Sequence, residues 1–324
     1  MKEEILLGAI QAAPVIFNKE ASCEKAVRLI GEAGSKGVNL AVFGETWLPG
    51  YPWFNVAWAE PLGQKAAEEY LASGVTIPGP CVDALCQAAK DASCDVAIGV
   101  AELDPVSHGT IYATLLFIGS EGKILGKHRK IKPTAAERIM WGEGDGKSFD
   151  VYERPYGKLS GLNCWEHQMV LPGYALMMKG TQFHASVWPG GEPYTRQTFL
   201  TQAFCSQAGC YGIMAGGIIR EEDIPEKYHA MLPMRAVPRT GHSAIISPTG
   251  EILAGPLNAE EGIVTAKASL SVIRSAKAWS DLRGHYSRPD IFEFKVHGEP
   301  LIPGAQPKPS GGQETQDTPD SAEN

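Results

Sequence analysis

Cys164 ends the run Leu159-Ser160-Gly161-Leu162-Asn163-Cys164-Trp165-Glu166-His167, an apolar strand-like stretch that stops on a thiol beside a glutamate and a histidine. Two upstream segments stop in the same manner. Leu40-Ala41-Val42-Phe43-Gly44-Glu45-Thr46-Trp47 delivers a carboxylate, and Lys127-His128-Arg129-Lys130-Ile131-Lys132-Pro133-Thr134 delivers a cluster of cations. A free thiol has a pKa of about 8.5, so a nucleophilic cysteine needs activation. Glu45 can take the thiol proton as a general base. A strand-to-helix junction at Cys164 adds N–H groups that favour negative charge. Lys130 supplies a positive charge aimed at an anion developing on the substrate.

Each residue has a plainer explanation when taken alone. Free cysteines usually act as small apolar filler, and a basic run is usually a solvated face. A carboxylate at the end of an apolar strand is harder to set aside, because glutamate is rarely buried unpaired. Together, three strand ends offering Glu, Lys and Cys point to a thiol-based active site at one rim of a sheet. No Ser-His-Asp order is visible, and His167 lies too near Cys164 in sequence to assume a Cys–His pair.

The elements that must position these groups follow from the hydrophobic pattern. Strands are expected over residues 6–15, 38–45, 95–102, 110–119, 182–188, 211–218 and 242–247, and helices over 19–34, 60–72, 82–92 and 195–208, the last capped by Thr195. Glu121-Gly122-Lys123-Ile124-Leu125 resembles Thr249-Gly250-Glu251-Ile252-Leu253, and each follows an apolar strand. Both are expected to be hairpin turns with glycine at the positive-φ position. This order suggests a layered α/β architecture with mixed sheets. Gly146-Lys147-Ser148 ends like a phosphate-binding loop, but Trp141 stands where that pattern requires glycine.

At 324 residues, 44% hydrophobic and 20% charged, the chain has the composition of a globular protein. A net charge of −8 argues against nonspecific nucleic-acid binding and against an anionic membrane surface. Met1-Lys2-Glu3-Glu4 runs directly into a strand without a basic-then-apolar leader, and no apolar run reaches membrane-spanning length. The expectation is a cytoplasmic protein. Its seven cysteines include no CxxC, so a zinc or redox motif of that kind is unsupported; six are expected to be reduced and structural. Residues 301–324 combine Pro, Gly, Ser, Gln and acidic residues without an aromatic, and are expected to be a disordered tail after one domain over 1–300.

The motifs together resemble the nitrilase branch of the carbon–nitrogen hydrolase superfamily. The resemblance rests on Phe43-Gly44-Glu45-Thr46-Trp47-Leu48-Pro49-Gly50-Tyr51-Pro52, on His128 to Thr134, on Cys164-Trp165-Glu166-His167, and on Gly284-His285-Tyr286-Ser287-Arg288-Pro289. It implies a four-layer α-β-β-α sandwich, pairing into homodimers that build longer, often helical, assemblies. It also implies a catalytic triad of Glu45, Lys130 and Cys164, with Glu137 as a second glutamate supporting the lysine, and no metal or organic cofactor. One departure stands out: Val170 takes a position where many relatives carry proline, and Pro172 follows two residues later. The helix after the nucleophile is therefore expected to start differently.

The implied reaction is hydrolysis of a nitrile to an acid and ammonia. An amidase or carbamoylase of the same superfamily is the nearest alternative, although Trp165-Glu166 after the cysteine favours the nitrilase branch. A catalytically silent scaffold is a second, disfavoured by the presence of all four catalytic residues. Trp47, Tyr51, Trp53, Phe54 and Trp58 cluster after Glu45, and Trp188 ends a later strand. Trp47, Tyr51, Trp165 and Trp188 are the candidates for lining the substrate pocket, with core packing as the competing role.

Overall fold

The computed structural model describes residues 4–190, 194–234, 239–297 and 299–300. The chain divides into two compact units, residues 1–287 and 288–324. In the first unit the elements run β1 (Glu4–Gln11), α1 (Lys19–Ser35), β2 (Leu40–Val42), α2 (Pro61–Ala72), α3 (Pro80–Asp91), β3 (Asp95–Leu103), β4 (Ile111–Gly119) and β5 (Lys123–Arg129). They continue with β6 (Tyr152–Arg154), β7 (Gly157–Asn163), α4 (Val170–Met178), β8 (Phe183–Trp188), α5 (Tyr194–Ala208), β9 (Tyr211–Gly216), β10 (Ile218–Ile219), β11 (Arg239–Ile246), β12 (Ile252–Asn258), β13 (Gly262–Ser269) and α6 (Leu270–Trp279). The second unit contributes a short ladder of β14 (Lys295–Val296) and β15 (Glu299–Pro300). The tail expected from residue 301 onward lies outside the described residues.

Two mixed sheets form the centre. The first has the order β13-β1-β2-β3-β4-β5, and the second β10-β11-β9-β8-β7-β6 with β12 paired to β11. The β1–β2–β3 pairs and the β7–β8–β9 pairs are parallel, and the outer pairs are antiparallel. Leu7, Ala9, Val42, Leu115 and Phe117 from the first sheet share one buried cluster with Leu159, Ala185, Val187 and Ile213 from the second. The two sheets therefore pack face to face. On the outer side of the first sheet, Ala26, Ile30, Val82, Leu85 and Ala89 of α1 and α3 pack on Ile10, Ala41, Ile98 and Leu116. α4 and α5 cover the second sheet, with Leu176, Met178 and Cys205 buried. The layers are α-β-β-α, as the resemblance implied.

Both repeats are hairpin turns, with Gly122 at φ 77° between β4 and β5 and Gly250 at φ 87° between β11 and β12. The apolar stretch around residue 40 is shorter as a strand than its pattern suggested. Phe43 N–H still bonds to Ala97, but Glu45 N–H turns to the Trp188 carbonyl on the other sheet at 3.2 Å. Glu45 thus leaves its own ladder to bridge the sandwich. Gly99 permits this departure: a Cβ there would lie 2.3 Å from the Gly44 carbonyl oxygen. Thr195 is not the cap of α5, which already begins at Tyr194, so Thr195 lies within the first turn. α4 begins at Val170, and Pro172 falls in its first turn, where a missing N–H costs nothing.

Candidate active site

Period-two alternation sorts the basic run. Lys127 and Arg129 point away from the site to Glu102, which Arg129 grips through Nε at 3.0 Å and Nη2 at 2.6 Å. Lys132 pairs with Glu143 at the surface. His128 and Lys130 point inward and are buried. Lys130 Nζ donates to Glu45 Oε1 at 2.8 Å and to Glu137 Oε2 at 2.7 Å, with no exposed surface of its own. Burial opposes its charge, but Glu45, Cys164 and Glu137 outweigh that and hold its pKa well above the usual lysine value. Lys130 is a fixed cation.

The two carboxylates differ in what is left free. Glu137 sits in a 3₁₀ turn (Ala135–Ile139), where Oε2 also accepts from Thr134 N–H at 2.7 Å and Oε1 accepts from the Tyr51 hydroxyl at 2.8 Å. Both of its oxygens are occupied by donors. Glu45 keeps Oε2 buried without a protein partner. Burial raises the Glu45 pKa to about 7, with Lys130 opposing and Glu137 adding to the rise. Glu45 is therefore the carboxylate equipped to exchange a proton near neutral pH, and Glu137 the one that positions the lysine.

Cys164 follows β7 at the head of a 3₁₀ turn (Cys164–Gln168). Its Sγ and one carboxylate oxygen each of Glu45 and Glu137 all lie within 4.8 Å of one another. Thiolate and carboxylate donors at such spacing suit a metal in principle, but here the Lys130 ammonium bonds both carboxylates and already supplies the positive charge. Burial and the Glu45 charge push the thiol pKa well above its usual range, against Lys130 and the Trp165 N–H. Cys164 therefore rests as a thiol, close to a carboxylate able to take a proton. Its φ of 48° is unusual for a side-chain-bearing residue, and Thr46 (42°) and Ala135 (47°) beside the two glutamates share that feature. Such conformations cost ~1–3 kcal/mol each and persist only where surrounding contacts impose them.

Glu166 imposes the one at Cys164, a function that its place in the motif does not by itself announce. Its fully buried carboxylate accepts from Asn163 N–H at 2.8 Å, from Ile131 N–H at 2.9 Å and from His128 Nε2 at 3.0 Å. One side chain thereby fastens the nucleophile turn to the segment that carries Lys130. His128 Nδ1 faces the Ser148 carbonyl at 3.1 Å and the Ser148 hydroxyl at 3.3 Å. Burial opposes a charge on the ring, but Glu166 dominates and raises the His128 pKa, while burial of Glu166 is outweighed by His128 and its pKa falls. A glutamate three residues after an N-cap-like Asn163 is the signal that could have revealed its bond back to the Asn163 N–H.

His167 does not pair with the thiol. Its Nδ1 donates to the Cys164 carbonyl at 2.7 Å, and burial lowers its pKa to about 4, leaving it neutral. His184 Nε2 and Ser186 Oγ lie 3.0 Å from its Nε2. The His167 ring also stacks on Trp188 at 5.1 Å between centroids.

A cavity of about 500 Å³ opens at Cys164, lined among others by Tyr51, Trp53, Val56, Glu137, Trp165, Trp188, Arg196 and Arg239. Of the four candidates, Tyr51, Trp165 and Trp188 line this cavity. Trp47 does not: its ring packs on Phe43 and its indole N–H donates to the Ala12 carbonyl at 2.7 Å, so it is a core residue. Trp53 joins the pocket instead, and Phe54 packs behind it with Tyr70 and Tyr228. His285 and Tyr286 of the fourth motif are exposed.

The carbon–nitrogen hydrolase family model matches residues 6–278. A protein described as Nitrilase 2, from an unknown prokaryotic organism, is 52% identical over 295 residues, covering 90% of this chain and 92% of that one. Nitrilase 2 of Arabidopsis thaliana is 36% identical over 307 residues, covering 91% and 89%. The aliphatic nitrilase of Sinorhizobium fredii is 35% identical over 300 residues, covering 90% and 96%. Among solved structures, a carbon–nitrogen hydrolase from Helicobacter pylori G27 superposes with a TM-score of 0.70 at 19% identity, covering 90% and 97%. The chain belongs to the carbon–nitrogen hydrolase family.

Two expectations follow from this geometry. With Glu45 as the base, kcat/KM should rise as pH increases through about 7 and stay level to the alkaline side, since Cys164 and Lys130 titrate far higher. A rate that instead falls through that range would assign the titration to a required acid. Glu166→Gln replaces one acceptor oxygen by a donor and must lose the Asn163 or Ile131 bond. It should lower kcat by ~10²-fold with little change in KM, and destabilise the fold by ~1–3 kcal/mol. Unaltered kcat in a folded variant would show that the nucleophile turn holds itself.

Proposed function

We propose that the protein is a nitrilase that converts an organic nitrile and two waters into the carboxylic acid and ammonia. The observation that carries this reading is the Cys164–Glu45–Lys130 cluster, with one unpartnered Glu45 oxygen, in a chain so similar to proteins described as nitrilases. Cys164 attacks the nitrile carbon while Glu45 takes the thiol proton and passes it to nitrogen, giving a thioimidate. Glu45 then activates the first water, ammonia leaves, and a thioester remains. The second water releases the acid and restores the thiol. Lys130 and the Trp165 N–H face the negative charge of each tetrahedral species, and Glu137 holds Lys130 in place.

The substrate's apolar substituent lies against Tyr51, Trp53, Trp165 and Trp188, which together suit aryl or branched aliphatic groups. Ammonia and acid release measured across matched aliphatic, benzylic, aryl and amide substrates tests the assignment. Nitriles should turn over and the matching amides should not. Cys164→Ala should abolish acid formation and the acyl adduct in intact-mass analysis. Lys130→Arg should lose most activity, because the planar guanidinium cannot occupy the point between two carboxylates, whereas Lys127→Ala should keep it. Amide hydrolysis without nitrile turnover would replace this reading by an amidase.

The working form is a homo-oligomer in the cytoplasm, built from dimers. Val170 (78% exposed), Leu171 (63%) and Phe199 (66%) leave apolar side chains uncovered on α4 and α5, and a second copy is the occupant that fits the family resemblance. Val170→Glu with Leu171→Glu should reduce the light-scattering mass. An unchanged mass would place the contact elsewhere. The tail from residue 301 is dispensable for chemistry, so ending the chain after Pro300 should leave initial rates unchanged; loss of turnover at constant mass would contradict this.

A further inference from the structure

Two thiols outside the site meet at the surface. Cys23, in the second turn of α1, and Cys81, the second residue of α3, line one cavity of about 440 Å³ together with Lys19, Glu20, Thr76 and Pro80. The Cys23 S–H reaches the Cys81 carbonyl oxygen at 3.5 Å, across the contact between the two helices. The two thiols adjoin each other closely enough that each shifts the protonation of the other. The neighbouring Cys81 thiol is the largest influence on Cys23 and draws its pKa down, against burial and the Glu24 and Glu20 carboxylates; the Cys23 thiol, with burial, pushes Cys81 up. As residues, Cys81 is partly exposed and Cys23 is almost covered. Cys205 and Cys210 also adjoin each other, but both are wholly buried.

We propose that Cys23 and Cys81 form a redox dithiol that closes to an intramolecular disulfide when it meets a low-molecular-weight disulfide. A thiolate of the pair attacks one sulfur of the oxidant, forms a mixed disulfide and expels one small thiolate. The neighbouring cysteine gives up its proton and attacks the protein sulfur of that mixed disulfide, expelling the second small thiolate. Two cysteine sulfurs are oxidised by two electrons, the oxidant is reduced to two thiols, and the two protons go to those thiols. Closure staples α1 to α3 in the outer layer.

The test incubates the native full-length chain with oxidised glutathione, then alkylates free thiols and maps peptides by mass spectrometry. The expected result is a linked pair of peptides carrying Cys23 and Cys81, a loss of two hydrogen masses for that link, and reversal by dithiothreitol. The linked protein should melt higher by on the order of 5 °C. Cys81→Ser should abolish the link, and Cys205→Ser should leave it intact. Only a stable glutathione adduct on Cys81, or a link that forms only after denaturation, would overturn the proposal, and the wild-type peptide map decides this even if a variant fails to fold.

Discussion

The Lys130 ammonium, held between Glu45 and Glu137 with no exposed surface, is the interaction on which the site depends. Three buried charges are tolerable only when each neutralises another and their hydrogen bonds are satisfied. Glu137 meets that condition completely, with Tyr51, Thr134 and Lys130 on its two oxygens. Glu45 meets it only in part, and its pKa rises in consequence. The same desolvation that endangers the cluster gives Glu45 its capacity to move protons. Stability and reactivity are set here by one unfilled acceptor.

Cys164 is placed by a different device. Cys164 occupies a left-handed backbone conformation at the end of a strand, and nothing in the strand itself requires this. Glu166 supplies the constraint from the next turn, by accepting N–H groups on both the cysteine segment and the lysine segment. His128 keeps Glu166 charged, and His167 holds the Cys164 carbonyl from the other side. None of these three side chains lines the cavity that opens at Cys164.

Much of this was legible in the sequence, for definite reasons. The motif resemblance picks Lys130 out of a run of similar residues, and the structure separates it from Lys127 and Arg129, which turn to Glu102. Glycines at hairpin turns announce themselves because only they take positive φ cheaply. Other features were hidden. Trp47 follows Glu45 closely and carries a polar N–H, yet its partner, the Ala12 carbonyl just past the end of β1, is 35 residues away in sequence. Glu45 leaves its ladder because Trp188, more than a hundred residues later, accepts its N–H. Local patterns do not register contacts made across the sandwich, and these are the contacts that turn a strand end into a site.

Glu45 and Lys130 hang from one sheet and Cys164 from the other, so the reaction geometry spans the interface between them. The residues that fix the spacing of the sheets, such as Leu115, Phe117, Leu159 and Ala185, never touch a substrate. They are nevertheless part of what selection on turnover can see. In this architecture the evolvable surface of the enzyme extends inward, through its own interior, as far as the seam between the two halves.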